Sequence, residues 1–267
     1  MTSLMFWNLY TAGRESMAGD DQRWDEQVAV VQRHRPDILA VTEGWEWDND
    51  DRALFRRAQE QFGYQHGELY EAKTGCHMAI FTNDPIQIAH FRGQPQAQTF
   101  WHGGYRATLS IPGTERPFTV VGTHLNPFDP TLRRIEGNFL RVHLPVHEHG
   151  VIVMDANTTA PGDPEPPFGV NSHQLGEEKA DRTAVDVLAT IGLTDVGAHF
   201  GDRSPTCGYY RRSGTAEAGA VQKLVRIDQI WATPSVELKG YRVIDDVSVD
   251  PELDHASDHR PVWLDFA

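Results

Sequence analysis

The sequence predicts a single α/β domain spanning residues 1–267, built on two β-sheets packed face to face with helices outside. Three observations predict it. Short apolar runs rich in Val, Ile and Phe alternate with amphipathic helical stretches along the chain. About ten such runs and about four main helices fit two packed sheets better than a bundle. Strands resume after each Pro/Gly-rich segment, so no linker divides the chain. A chain of 267 residues can bury most of its apolar surface without staples.

The elements follow in order. Leu4–Leu9 is the first strand. A helix covers Asp25 to His34, with Val28, Val31 and Gln32 at helical spacing and Pro36 closing it. Ile38–Val41 is the next strand, and a second helix covers Asp51 to Phe62 with Gly63 as its stop. Met78–Phe81, Ile86–Phe91, Arg106–Ile111 and Phe118–Thr123 are strands, several ending in turn residues. The third helix begins at Asp129-Pro130, an N-cap followed by proline at the first helical position. Its apolar stripe, expected inward, is Leu132, Ile135, Phe139 and Val142, and Pro145 ends it. After the strand Val151–Met154, a fourth helix runs from Lys179 to Ile191, with Val185, Leu188 and Ala189 inward and Gly192 as its stop. Arg226–Trp231, Lys239–Ile244 and Pro261–Phe266 complete the strands. Pro161–Gly176 and Asp202–Gln222 read as irregular loops.

Lys and Arg number 24 against 38 Asp and Glu, a formal charge of −14. That field favours cations, divalent metals among them, and repels long polyanions except where arginines cluster. It argues against a broad basic face for long nucleic acid, though not against a local basic groove. Cys76 and Cys207 cannot make a disulfide framework and read as reduced thiols. The apolar start is short, lacks a basic lead and runs into Asn8, so no secretory signal is expected. No apolar run approaches the ~20 residues of a membrane span, and no lipid anchor is apparent. The expectation is a soluble, cytoplasmic protein with no inferable protein partner.

The informative polar residues stand at strand ends, where a rigid scaffold can gather them in one cleft. Asn8 ends the first strand, Glu43 follows Ile38–Val41, and His124 follows Phe118–Thr123. Asp155 and Asn157 follow Val151–Met154, Asp228 lies within Arg226–Trp231, and Asp258 with His259 precedes the last strand. Singly, Glu43 or Asp155 reads as a solvated strand-end carboxylate. Together they supply hard oxygen donors, Glu43, Asp258 and Asn8, suited to Mg²⁺ or Mn²⁺. Asp228 can hold His259 in one tautomer for proton transfer. Asp155 can orient or deprotonate a water, while Asn157 and His124 can donate to a phosphoryl oxygen as its charge grows.

In order, these residues lie in Trp7-Asn8, Thr42-Glu43, Gly122-Thr123-His124-Leu125, Met154-Asp155-Ala156-Asn157, Arg226-Ile227-Asp228-Gln229-Ile230 and Ser257-Asp258-His259-Arg260-Pro261. Each segment alone is weak. The ordered set resembles the endonuclease/exonuclease/phosphatase superfamily, the DNase I-like metal-dependent phosphoesterases, over nearly the whole chain. The resemblance implies a four-layer αββα sandwich with two central mixed β-sheets flanked by helices. It implies that Glu43 is the main metal-binding carboxylate, with Asn8 and Asp258 supporting. It implies a catalytic dyad of His259 and Asp228, with Asp155 and Asn157 positioning water and phosphate and His124 binding phosphate. Either His259 or Asp155 is the general base. Tyr10 stands where some members carry a second carboxylate, which argues against a second metal held from there.

Arg106 resembles a phosphate-contacting arginine of the family. Trp45, with Trp47 nearby, reads as the rim of the cleft, and Phe100, Trp101 and Tyr105 as a second aromatic loop. Trp45, Trp101 and Tyr105 are therefore candidates for stacking on a flat substrate group. Asp48, Asp50 and Asp51 near that rim would repel a long phosphate backbone. Arg133, Arg134, Arg211, Arg212 and Lys223 read as solvated charges, as do His143, His147 and His149 at a helix end. Ser257 lacks a nucleophile-elbow context.

The expected activity is Mg²⁺-dependent phosphoester hydrolysis by in-line attack of water, with a small or short phosphorylated substrate favoured. The alternatives are a DNA or RNA endo- or exonuclease using the same site, and a catalytically silent binding module of the same fold.

Overall fold

The computed structural model describes residues 1–93, 100–166, 179–209 and 224–267. In chain order the elements are β1 (Thr2–Ala12), α1 (Arg14–Met17), α2 (Gln22–His34), β2 (Ile38–Gly44), α3 (Asn49–Phe62), β3 (His66–Tyr70), β4 (His77–Thr82), β5 (Gln87–Gly93) and β6 (Gly104–Ser110). They continue with β7 (Phe118–His124), α4 (Pro130–His143), β8 (Gly150–Asp155), α5 (Thr183–Thr190), β9 (Thr194–Asp195), α6 (Val196–His199), β10 (Asp228–Ala232), β11 (Leu238–Val243), α7 (Leu253–Ala256) and β12 (Val262–Phe266).

Central strands such as β2, β4, β7 and β8 are apolar and buried along nearly their whole length, as strands covered on both faces must be. They form two six-stranded sheets, ordered β11-β12-β1-β2-β4-β3 and β5-β6-β7-β8-β10-β9. Both are mixed: β1 runs parallel to β2, and β7 parallel to β8, while the other pairs are antiparallel. The inner faces share one core, including Phe6, Ala40, Ile80, Tyr105, Val120, Val153 and Leu264. Outside the first sheet, α2 and α3 bury Trp24, Val30, Phe55 and Phe62. Outside the second, α4 and α5 bury Leu140, Val185 and Leu188. This is the expected four-layer arrangement.

Strand polarity positions the site. Parallel neighbours bring their C-terminal ends to one edge of a sheet. Asn8 therefore pairs with Thr42, beside Glu43, and His124 pairs with Asp155. An antiparallel strand contributes its N-terminal end there, so Asp228 of β10 pairs with Asp155. The turn before β12 carries Asp258 and His259 to the same edge.

The face of α4 corrects the sequence expectation. Leu132, Ile135, Phe139 and Val142 lie on the surface, and Arg133, Glu136, Gly137, Leu140 and His143 turn inward. Two contacts decide the rotation. A Cβ at Gly137 would lie 2.0 Å from the Ala184 carbonyl oxygen, so only glycine lets α5 approach so closely. The charged residues are satisfied by loops: Arg133 donates to the Asn126 carbonyl, and Glu136 accepts from the backbone N–H of Trp101 and of Asn126, each at 2.6 Å. Smaller corrections share this origin. Gln32 and Ala189 face solvent, whereas Gln27 and Ala184 are buried. Trp47, expected on the rim, packs in the outer core of the first sheet with Trp24, Phe55 and Phe81. His143 is buried against Phe100 rather than solvated, and His149 packs edge-on against Phe118. Arg211, Arg212, Lys223 and much of the two irregular loops lie outside the described residues. Among the described residues, no helix is long and apolar enough to cross a membrane.

Candidate active site

A cleft of about 570 Å³ opens at the edge where these strand ends meet. Its polar floor includes Glu43, His124, Asp155, Asn157, Asp258 and His259, and its apolar wall includes Trp45, Trp101, Pro127 and Phe128.

Glu43 stands at a register shift of β2 with φ of 64°, a conformation uncommon for a residue bearing a side chain. Its Oε1 accepts from Asn8 Nδ2 at 3.0 Å, and its Oε2 accepts from the Thr11 N–H at 3.0 Å. The Asn8 amide also donates to Asp155 Oδ2 at 2.9 Å, so one side chain ties a carboxylate of each sheet. Asn8 Oδ1 accepts from the Tyr10 N–H at 2.9 Å. In this orientation Asn8 aligns the two carboxylates and turns its oxygen away from them.

Asp155 is the meeting point. Its Oδ1 accepts from the Asn157 N–H at 2.9 Å, and Oδ2 lies 3.4 Å from His124 Nε2 and 3.9 Å from His259 Nε2. Asn157 adopts φ of 48°, and its Nδ2 donates to the Leu125 carbonyl at 3.0 Å. His259 Nδ1 lies 2.6 Å from Asp228 Oδ2, with both residues buried. Burial opposes the charged imidazole, but the carboxylates of Asp228 and Asp258 outweigh it and hold the His259 pKa well above its ordinary value.

Asp258 lies beside this dyad, its Oδ1 3.8 Å from His259 Nε2 and buried with no hydrogen-bond partner among the described residues. Burial first, then the neighbouring Glu43, Asp228 and Asp155, push its pKa up to about 6 against the pull of His259. An orphaned carboxylate oxygen among crowded carboxylates fits a hard cation, which would supply the missing positive charge. Ligand atoms of Glu43, His124 and Asp155 also lie within 4.8 Å of one another.

Several supporting residues were not among the candidates read from the sequence. Ser257 Oγ donates to the Asn8 carbonyl at 2.7 Å and accepts from the His259 N–H at 3.0 Å. Trp7 Nε1 donates to the His259 carbonyl at 3.1 Å. Thr206 Oγ1 accepts from the Ile227 and Asp228 N–H groups. Cys76, His102, Thr74 and Cys207 also line the cleft. Burial, then the neighbouring His124, pushes the His102 pKa down to about 2, so its ring is neutral. The signal available for Ser257 was its place beside Asp258-His259; for the others only the tertiary pairing reveals a role.

Two candidate substrate residues stand elsewhere. Tyr105 is buried between the sheets over Gly122, and Arg106 is tied to Glu148 and the His143 carbonyl, each at 2.6 Å. Neighbours on a strand point to opposite faces, and neither face here is the cleft edge. Trp45 and Trp101 do line it. The Arg14 guanidinium stacks 3.8 Å over Trp45, and Trp101 meets Phe128 edge-on at 5.6 Å.

The sequence profile of the Endonuclease/Exonuclease/phosphatase family matches residues 5–259. Among solved structures, the chain is similar to an AP endonuclease from Archaeoglobus fulgidus at 21% identity, covering 100% of this chain and 99% of that one, with a TM-score of 0.70. It is similar to the mannosyl-6-phosphatase Bt3783 of Bacteroides thetaiotaomicron at 14% identity, covering 100% of both chains, with a TM-score of 0.64. It is also similar to the 3′ phosphatase NExo from Neisseria, solved with product DNA hairpin, at 21% identity over 100% of both chains, with a TM-score of 0.66. At these identities the likeness is one of fold. No curated protein sequence matches the chain.

Proposed function

The chain belongs to the Endonuclease/Exonuclease/phosphatase family, and on that premise we propose that it hydrolyses a phosphate ester with Mg²⁺ or Mn²⁺ held at Glu43 and Asp258. One observation carries the reading. Asp155 Oδ2 faces His124 Nε2 at 3.4 Å and His259 Nε2 at 3.9 Å, and Asp228 backs His259 at 2.6 Å. When bound, the ion supplies Lewis acidity to a phosphoryl oxygen.

The chain's own groups do the rest. Asp155, fixed by Asn8 and the Asn157 N–H, orients the attacking water and takes its proton. His259, kept charged by Asp228, faces the cleft through Nε2 as donor to the departing oxygen. His124 and Asn157 stand beside the position where phosphoryl charge grows.

The apolar wall of Trp45, Trp101, Pro127 and Phe128, with exposed Asp48 in the turn after Trp45 and exposed Asp50 and Asp51 at the start of α3, supports a small or short substrate. The test is Mg²⁺-dependent hydrolysis of a bis-aryl phosphodiester, an aryl monophosphate and plasmid DNA, with His259→Ala as control. The expected result is cleavage of a small ester, plasmid left intact, and loss of activity in the variant. Plasmid cleavage lost in the variant would make the protein a nuclease. Inactivity on all three substrates, or activity retained by His259→Ala, would overturn the reading.

A further inference from the structure

Beside the oxygen-rich floor, the cleft wall carries a donor set of a different kind. Ligand atoms of Cys76, His102 and His124 lie within 4.8 Å of one another, and all three residues are buried. We propose that Cys76, His102 and His124 form a second metal site, selective for Zn²⁺ or a similar sulfur- and nitrogen-seeking divalent ion.

The geometry supports it. Zinc binds thiolate sulfur at about 2.3 Å and imidazole nitrogen at about 2.0–2.1 Å, so two such ligands at a tetrahedral angle stand about 3.5 Å apart. Cys76 Sγ lies 3.5 Å from His124 Nδ1. The third ligand is oriented from outside: Thr74 Oγ1 lies 2.7 Å from His102 Nδ1, which leaves Nε2 for an ion. Metal-bound histidines have such an oxygen partner on the second ring nitrogen, which fixes the ring. Three protein ligands beside an open cleft leave the fourth position to water or another small ligand.

The donor chemistry separates this site from the floor. Thiolate and imidazole select zinc-like ions, whereas carboxylates suit Mg²⁺ and Mn²⁺. His124 is the shared wall: Nδ1 faces Thr42 Oγ1 at 3.2 Å and Cys76 Sγ at 3.5 Å, and Nε2 faces Asp155 at 3.4 Å. Binding would release the Cys76 thiol proton to solvent and break the 3.2 Å contact between Thr42 Oγ1 and His124 Nδ1, leaving that nitrogen to the ion. His124 is then fixed with its proton on Nε2, pointing at Asp155.

Co²⁺ titration in excess Mg²⁺ tests the site, because thiolate coordination to cobalt gives a charge-transfer absorption that oxygen ligation does not. The whole chain is used, with circular dichroism verifying the fold of each variant. The expected result is one such site per chain, with the absorption abolished in Cys76→Ser and retained in Cys207→Ser. Zn²⁺ should displace the cobalt. Thr74→Val should weaken the ion by roughly 10–100-fold, the usual loss for an outer partner. His102→Ala should weaken it further. No charge-transfer band in wild type, or a band that survives Cys76→Ser, would overturn the proposal. Ester hydrolysis is not a readout of this test, so failure of the proposed activity would leave the cobalt result standing.

Discussion

Replacing Asp228 by Asn keeps the shape of the dyad and removes its charge. In the native site the carboxylate lies 2.6 Å from His259 Nδ1 and is the main attraction holding the imidazole pKa up against burial. With Asn in its place, burial dominates and His259 becomes neutral near pH 7. Removing one partner of a buried ion pair costs about 3–5 kcal/mol when the other stays charged. Here the imidazole can release its proton, so the expected stability loss is closer to the ~1.5–3 kcal/mol of a charge-assisted hydrogen bond. The rate effect is larger. Positioned proton transfer is worth roughly 10²–10⁴ in rate, about 2.7–5.4 kcal/mol of barrier. The assay is initial-rate hydrolysis of an aryl phosphodiester at saturating Mg²⁺, comparing wild type, Asp228→Asn, His259→Ala and the double variant. Residues acting as one unit are non-additive, so the double variant should be no slower than His259→Ala alone. Asp228→Asn retaining activity within about threefold of wild type, a barrier change under ~0.7 kcal/mol, would refute the dyad. So would a double variant whose losses multiply.

Three further predictions rest on the same structure. Chelation should abolish turnover and Mg²⁺ should restore it; Asp258→Asn should raise the Mg²⁺ requirement yet stabilise the metal-free protein at pH 8 to heat, because it removes a carboxylate from a crowded set. Burial raises the Glu136 pKa to about 7 although two backbone N–H groups hold the charged form, so the folded state binds that proton more tightly than the unfolded state. This carboxyl should therefore cost stability as pH rises from about 4.5 to 7, by about 3 kcal/mol in total, and urea unfolding of Glu136→Gln should lack that component. Finally, Leu140→Ala should cost about 2–5 kcal/mol in urea unfolding. Val142→Ala, on the exposed face of α4, should change stability by no more than ~0.5 kcal/mol.

The α4 pair shows where sequence reading stops. Periodicity identified the helix, its N-cap at Asp129 and its end, because these depend on local chemistry. It chose the wrong face, because the choice depends on Gly137 meeting Ala184 and on loop amides that satisfy Glu136. β3 was missed for a related reason. His66-Gly67-Glu68 has little strand character, and its register comes from pairing with β4 at the sheet edge. The polar residues of the floor were legible because each flanks an apolar run, a pattern visible without tertiary information. Cys76, His102, Thr74 and Thr206 were not, because their meaning lies in which histidine or aspartate they face. Tyr105 and Arg106 stand away from the cleft through the same gap: the sequence put Tyr105 in an aromatic loop and Arg106 at a strand start, and strand alternation turns one inward and pairs the other with Glu148.

The parallel pairing at the centre of each sheet explains why a site of this kind assembles here. β1 with β2, and β7 with β8, each deliver two chain ends side by side, which a hairpin cannot do without placing its turn over the site. The two pairs belong to different sheets, so the site's precision depends on how the sheets pack. Asn8 makes that dependence explicit, since one amide nitrogen reaches Glu43 in the first sheet and Asp155 in the second. Ser257 and Trp7 extend it to His259, anchoring the histidine's backbone to β1 while Asp228 of the second sheet anchors its ring. The groups that would move protons and those that would hold an ion are thus referenced to both sheets at once. A sheet-to-sheet shift too small to disturb the apolar core would still misalign the 2.6 Å dyad bond and the 2.9 Å Asn8–Asp155 contact together. Fixed polar geometry on a packed scaffold is the condition under which electrostatic stabilisation is strong, because no reorganisation is needed when charge develops.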